Sequence, residues 1–320
     1  MQPFQYVSAG SVEEAIAAAQ GKAMIMAGGT DILGMLKNRV LPLYPEILIN
    51  IKSIPDLDYL EESAEVLRIG ALAKLADIAA SPLVRQKYGI LAEAADAVGS
   101  PQLRHMGTLG GNLCQKVRCL YFRCSPLSGL DYYCRRKGGK SCFAVAGDNR
   151  YHAILGGKGC FAVCPSDLAV ALCALDAKVK LQGKTGERLI PLADFYTTLG
   201  NVLDPQEMVT GIQVPRPPPG SRQRFLKFRL RKAIDFAIAS VASITLVEEG
   251  ICRETRLFLG AVAPTPIRAV AAEETLKGKV LDAATVEEAA RAALAGASPL
   301  SMNAYKIEVT KALIKKAISG

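Results

Sequence analysis

The chain has 320 residues, of which 50% are apolar and 22% charged, with a formal net charge of +9. That length exceeds what one hydrophobic core usually supports and predicts two or three domains. No apolar run reaches the roughly 18–20 residues that span a bilayer. The basic residues are dispersed and tryptophan is absent, which argues against a nucleic-acid surface and for a solvated face or an acidic partner.

"MQPFQYVSAGSVEEA" has neither the basic start nor the apolar middle of a secretory signal, so the expected compartment is cytoplasmic, with export beside a signal-bearing partner left open. Ser11 and Glu14 stand in capping-box spacing and predict a helix over "SVEEAIAAA". "AMIMAGG" predicts a short buried strand, and "DILGMLKNR" the helix after it, with Ile32, Leu33, Met35 and Leu36 apolar. "EILINI" and "VLRIGALA" predict strands, and "YGILAEAADAVG" a helix. From about Gln115 to Gly159 the chain is rich in Arg, Lys, Gly and Tyr and has no clear period. An insert of that length needs something to organise it. "PSDLAVALCALDA" restores a helical pattern, with Ser166 as N-cap. "VPRPPPGSRQ" is the predicted linker. After it, "RFLKFRLRK", "ASVASITLV" and "RLFLGAV" predict strands, and "TVEEAARAALAG" and "NAYKIEVTKALIKKAI" helices, an α+β arrangement.

Two glycine turns carry possible chemistry. "AGGTD" (Ala27, Gly28, Gly29, Thr30, Asp31) lies where a strand becomes a helix, so its amides and the helix dipole can cradle a pyrophosphate. "TLGGN" (Thr108 to Asn112) is the second, where glycine lets backbone approach closely. Each also suits an ordinary tight turn, and neither matches G-x-G-x-x-G or G-x-x-x-x-G-K-[ST]. Nine cysteines, seven of them between Cys114 and Cys164, are an odd number in a chain too large to need disulfide staples. They suggest reduced thiols or metal ligands. No C-x-x-C knuckle of a zinc ribbon occurs, though zinc, an iron–sulfur cluster and packed thiols all stay open at this level. Cys173 and Cys252 suit core packing, and the two histidines, His105 and His152, form no catalytic or metal-binding pair in sequence.

"F-x-Y" near the start, then "AGGTD", "LRHMGTLGGN", "CPSDLAVALCALDA" and "GAVAPTPIRA", resemble in order and spacing one family across essentially the whole chain. It is the FAD-binding medium (beta) subunit of molybdenum hydroxylases, the group of xanthine dehydrogenase, carbon monoxide dehydrogenase and 4-hydroxybenzoyl-CoA reductase. The resemblance implies an α+β fold with an α/β N-terminal part: a two-subdomain FAD-binding PCMH-type (vanillyl-alcohol-oxidase-like) fold, then a C-terminal α+β domain of the CO dehydrogenase flavoprotein type. The expected boundaries are 1–55, 56–215 with a cysteine-rich insert at about 115–160, and 222–320. It implies FAD held by Ala27, Gly28, Gly29, Thr30 and Asp31 at the pyrophosphate, by Thr108, Gly110, Gly111 and Asn112 in the second loop, and by Asp167 and Lys227. From the residues alone, Asp167 is equally a first-turn carboxylate and Lys227 an edge-strand surface lysine.

The insert resembles the segment that binds a [4Fe–4S] cluster in the 4-hydroxybenzoyl-CoA reductase β subunit and some bacterial aldehyde oxidoreductases. That implies Cys119, Cys134, Cys142 and Cys160 as ligands, with Cys124 the competitor of Cys119. Arg118, Arg135, Arg136 and Lys137 would offset the negative charge of such a cluster, and its binding would order the insert. The gap from Cys142 to Cys160 is longer than in the thioester reductase and leaves the substrate subtype open. The implied activity is oxidoreductase electron transfer. The implied partners are a large molybdopterin subunit, a small [2Fe–2S] subunit and an external carrier such as ferredoxin or NAD. A stand-alone flavin oxidoreductase with a zinc- or thiol-stabilised insert is the alternative, and a zinc-containing nucleic-acid adaptor the third reading.

Overall fold

The computed structural model describes residues 1–63, 66–130 and 132–319. Three sheets organise it. The first is parallel, with β1 (Gln5–Ser8), β2 (Ala23–Met26) and β3 (Ile47–Asn50) in the order β1-β3-β2. Helices α1 (Val12–Ala18) and α2 (Ile32–Lys37) lie in its crossovers. The Ser11 hydroxyl accepts from the Glu14 amide at 3.1 Å, as the spacing predicts. The Glu14 carboxylate reaches back to the Gly10 amide at 2.6 Å, one residue earlier than a standard capping box.

The second sheet is antiparallel: β4 (Leu60–Ser63), β5 (Val66–Gly70), β6 (Lys178–Gly183), β7 (Gly186–Pro191) and β10 (Glu207–Pro215), in the order β4-β5-β10-β6-β7. A small hairpin, β8 (Tyr196–Thr197) and β9 (Gly200–Asn201), precedes β10. Between β5 and β6 run α3 (Leu75–Ala80), α4 (Pro82–Lys87), α5 (Gly89–Asp96), α6 (Pro101–Met106), α7 (Leu109–Cys114), α8 (Leu120–Arg123) and α9 (Asp167–Ala174). Every residue of α9 is buried, and the Ser166 hydroxyl caps it by accepting from the Ala169 amide at 3.0 Å. Leu168, Val170 and Leu172 join Ile69, Ile78, Leu91, Phe225 and Phe258 in one core that reaches the third sheet.

That third sheet is antiparallel, with β11 (Arg222–Phe228), β12 (Ala239–Glu248), β13 (Ile251–Gly260) and β14 (Ile267–Arg268) in sequence order. Helices α10 (Val270–Leu276), α11 (Ala283–Ala292) and α12 (Tyr305–Ser319) complete it. The α/β first part and α+β last part match the expected fold class. Among the described residues no helix is long and apolar enough to cross a membrane.

Two expectations change. "RFLKFRLRK" is strand only as far as Phe228, because the β11–β12 ladder ends at the pair Phe228–Ala239. Residues 229–238 form a loop instead, in which Ile234 takes a φ of 70° and its amide donates to the Gly99 carbonyl at 2.9 Å. "TLGGN" is the start of α7 and not merely a turn. Its N-cap Thr108 accepts from the Gly111 amide at 3.2 Å. Glycine costs a helix about 1 kcal/mol against alanine, but a Cβ on Gly110 would press on Ala71 Cβ at 3.0 Å and the Ala71 carbonyl at 3.1 Å.

The insert is largely irregular, as its lack of periodicity implies. Besides α8 it holds short 3-10 turns at Pro126–Ser128 and Arg135–Lys137. Buried polar groups tie its end to the C-terminal part. Asn149 Nδ2 donates to Ser301 Oγ at 3.0 Å, and Asn303 Nδ2 to the His152 carbonyl at 3.1 Å. Lys306 Nζ donates to the carbonyls of His152 and Ala261 at 2.9 and 2.6 Å. Lys306 is fully buried, and desolvation lowers its ammonium from 10.5 to about 7. Between pH 7 and 10.5 the unfolded chain therefore binds more protons at this site than the folded one, so its contribution to stability rises with pH across that window. Urea denaturation at pH 7 and 9.5 should show that rise, at up to about 1.4 kcal/mol per unit. Lys306→Met should flatten it.

Candidate functional site

The two glycine segments meet. A Cβ on Gly28 would run into the carbonyl oxygen of Met106 and lie 3.2 Å from Gly107 Cα, so only glycine permits the contact. Gly29 has a φ of 74°, which turns the chain from β2 into α2. Along this junction runs a cleft with two lobes of about 340 and 170 Å³. Thr30, Asp31, Thr108, Gly111 and Gln115 line both lobes. Ala27, Gly28 and Gly29 line the larger; Asn112, Asp167, Lys227, Ile234 and Phe236 line the smaller.

The two segments differ in what they can offer. In the second, the Leu109 and Gly110 amides donate to Ala73 and Ala71 carbonyls at 2.9 Å each, and the Gly111 and Asn112 amides are taken by Thr108. The Asn112 side chain accepts from Ser166 Oγ at 2.6 Å, which locks α7 to α9. In the first, the amides of Gly28, Gly29, Thr30 and Asp31 donate to no backbone carbonyl among the described residues. Unsatisfied amides grouped on a cleft fit an anionic group such as a pyrophosphate. The Asp31 carboxylate is engaged elsewhere: it accepts from the Lys116 amide at 2.9 Å and from Arg123 Nη2 at 2.8 Å, and pairs with Arg118 at 2.9 Å. It pins the insert to the cleft.

At the smaller lobe, Asp167 and Lys227 form an ion pair at 2.6 Å with side chains 7% and 4% exposed. Lys227 is on an edge strand yet buried, because β11 packs on α5 and its ammonium also donates to the Ala97 carbonyl at 2.9 Å. Burial raises the Asp167 carboxyl, against the opposite pull of Lys227. Removing one partner of a buried pair typically costs 3–5 kcal/mol. Lys227→Met should therefore cost about 3 kcal/mol at pH 7 by urea denaturation. The loss should shrink as pH falls, because a lone buried carboxyl is pushed higher still and is relieved by taking up a proton.

Cys119, Cys134, Cys142 and Cys160 line one small cavity of about 10 Å³, with Tyr121, Phe122 and Phe143 around them. Cys124 is not among the lining residues; its thiol donates to the Leu130 carbonyl at 3.3 Å. Cys114, Cys164 and Cys173 belong to the core around α9, where burial pushes the first two thiols up to about 11 and 12. Cys252 is buried in the C-terminal part beside Thr255. His152 Nε2 lies 3.2 Å from Cys119 Sγ, and Arg136 Nε donates to Cys160 Sγ at 3.2 Å. His105 is exposed on α6. Among the described residues no three or more His, Cys, Asp or Glu stand close enough together to hold a metal ion as they are. The cavity has room for about one water molecule. The donor chemistry, four thiols with Arg135 and Arg136 beside them, nonetheless suits an iron–sulfur cluster.

A further cavity of about 460 Å³ borders both regions: Arg118, Asp235 and Phe236 are shared with the cleft, and Cys119 and Ala162 with the thiol cavity. Arg118 stacks over Phe236 at 4.5 Å, and burial lowers its guanidinium to about 10. The places of Ile234 and Phe236 on the cleft were invisible in the sequence, because only the third sheet carries residues 229–238 across to it.

The geometry is a two-lobed cleft whose free backbone amides suit an anionic group, with four cysteines around a small cavity nearby. Residues 2–217 match the family model described as FAD binding domain in molybdopterin dehydrogenase, and residues 224–320 the CO dehydrogenase flavoprotein C-terminal domain. The chain thus belongs to the FAD-binding medium subunits of molybdenum hydroxylases, and is an oxidoreductase flavoprotein subunit. It is 35% identical to the aldehyde oxidoreductase FAD-binding subunit PaoB of Escherichia coli (strain K12), over 100% of this chain and 98% of that one. It is 30% identical to the 6-hydroxypseudooxynicotine dehydrogenase complex subunit alpha of Paenarthrobacter nicotinovorans, over 99% and 93%. A solved chain of the carbon monoxide dehydrogenase of Hydrogenophaga pseudoflava superposes with a TM-score of 0.78 at 28% identity, covering 99% of this chain and 96% of that one.

Proposed function

We propose that this chain passes electrons within a molybdenum-containing hydroxylase, dehydrogenase or reductase complex, with FAD in the cleft and one [4Fe–4S] cluster on Cys119, Cys134, Cys142 and Cys160. The observation that carries the cluster is the common cavity: four thiols scattered along an irregular insert converge, while Cys124 turns away. Arg135 and Arg136 bring positive charge to a site that would hold negative charge. When bound, FAD and the cluster supply the electron chemistry. The chain's own part is to hold and tune them.

In this reading the amides of Gly28, Gly29, Thr30 and Asp31 bind the pyrophosphate beside Ala27. Thr108, Gly110, Gly111 and Asn112 form the rigid wall that holds that loop in place. Asp167 and Lys227 fix the floor of the smaller lobe, which Ile234 and Phe236 border. The cavity that shares lining residues with both the cleft and the thiol site supports a reading with the two cofactors as neighbours. The partners are a large molybdopterin subunit, which carries the substrate pocket, a small [2Fe–2S] subunit and an external carrier such as ferredoxin or NAD.

The test is an anaerobic absorption spectrum of the purified chain, with iron, zinc and flavin assays and EPR after dithionite. Flavin bands, about four iron per chain and a reduced-cluster signal are expected. Flavin with zinc and no iron overturns the cluster and favours a stand-alone flavin oxidoreductase with a zinc-stabilised insert. Folded protein that takes up no FAD overturns the assignment of the cleft.

A further inference from the structure

We infer that His152 and Arg136 are positioning residues of the four-thiol site: each donates a hydrogen bond to a ligand sulfur, and together they raise the reduction potential of the cluster. The inference rests on the cluster reading above.

The two donors reach the site from different parts of the molecule. His152 ends the insert's last turn, where its amide donates to the Asn149 carbonyl at 2.9 Å. Its carbonyl is gripped by Asn303 and Lys306, both fully buried. The C-terminal part thus sets where the ring stands. Nε2 faces Cys119 Sγ at 3.2 Å, while Nδ1 is buried with no hydrogen-bond partner among the described residues. A neutral imidazole has one N–H, and with no acceptor at Nδ1 the proton belongs on Nε2, pointing at sulfur. Arg136 is pinned from the other end of its guanidinium. Nη1 donates to the Leu199 carbonyl at 2.9 Å and Nη2 to the Thr198 carbonyl at 2.6 Å, both in the turn between β8 and β9. Because the group is planar, those two bonds aim Nε at Cys160 Sγ.

Reduction adds one negative charge to the cluster and its thiolates. A donor aimed at sulfur stabilises that reduced form more than the oxidised one, so it raises the potential. Two donors held by elements outside the insert keep this effect constant while the cysteine loops adjust around the cluster.

The experiment is an EPR-monitored redox titration of the intact complex, with iron assayed in each variant. His152→Leu should retain iron and lower the equilibrium constant for cluster reduction about tenfold, equivalent to about 59 mV for one electron. His152→Gln, which keeps an N–H donor, should recover part of that shift. Arg136→Met should shift the potential the same way, and Arg136→Lys less. Iron retained with an unchanged potential in both His152→Leu and Arg136→Met overturns the inference and leaves the cluster reading standing. A wild-type complex with no iron at these cysteines overturns the cluster reading itself. Should His152→Leu fail to fold or lose iron, Arg136→Met decides, since it removes the other donor; should Arg136→Met fail instead, His152→Leu decides. A lowered potential then supports the inference, and an unchanged one overturns it.

Discussion

Gly28→Ala is expected to strip the protein of most of its FAD. The added methyl has nowhere to go, because the atoms it meets are backbone: the Met106 carbonyl and Gly107. Those atoms cannot yield cheaply. The Gly107 carbonyl accepts from the Leu75 amide at 3.1 Å, and the next amides are tied to Ala73 and Ala71. The "AGGTD" loop must therefore move, carrying its free amides away from the cleft. Overpacking a close contact costs about 1–3 kcal/mol, which corresponds to roughly a 5- to 150-fold loss of FAD affinity. Flavin-to-protein ratios and titration of the apoprotein with FAD would measure it. Gly34→Ala is the control: it lies on α2 with open space where its Cβ would be, and should keep its flavin. Equal FAD affinity in Gly28→Ala and wild type would mean that contact between the two loops does not shape the site.

The second large effect concerns the thiols. Serine at Cys119, Cys134, Cys142 or Cys160 should each abolish the cluster, dropping iron from about four per chain to a small residue. Serine at Cys124 should leave it intact, because that thiol is turned toward Leu130. Metal-binding free energy is also folding free energy, so the four variants should additionally open the insert. Limited proteolysis within residues 120–145 would detect this, since that stretch has little regular structure of its own. Iron retained in Cys119→Ser but lost in Cys124→Ser would reassign one ligand. Iron retained in all the variants would remove the cluster from this loop altogether.

Local chemistry was enough for much of the architecture. Ser11 and Ser166 cap helices by short-range hydrogen bonds, and the apolar periods of α1, α5, β12 and α12 are written in adjacent residues. The "AGGTD" turn and the aperiodicity of the insert were equally plain, because glycine and the lack of an apolar stripe act within a few residues. The role of "TLGGN" was harder to see. Its helix depends on Ala71 and Ala73, which are distant in sequence, to accept amides and to exclude a side chain.

What pairing and packing alone decided is where the polar side chains ended up. Lys227 alternates on a strand as any edge lysine would, and only the approach of α5 and α9 makes it a buried partner of Asp167. Asp31 stands where a phosphate-loop carboxylate would, yet three basic or amide groups of the insert claim it. The setting of His152 and Arg136 beside the sulfurs of Cys119 and Cys160 depends on contacts with residues 198–199 and 303–306. A capping bond or an amphipathic period is read over one turn of chain, and so is present in the sequence itself. The burial of a charge and the convergence of four thiols are sums over segments far apart in the chain, and they exist only once the three sheets have packed.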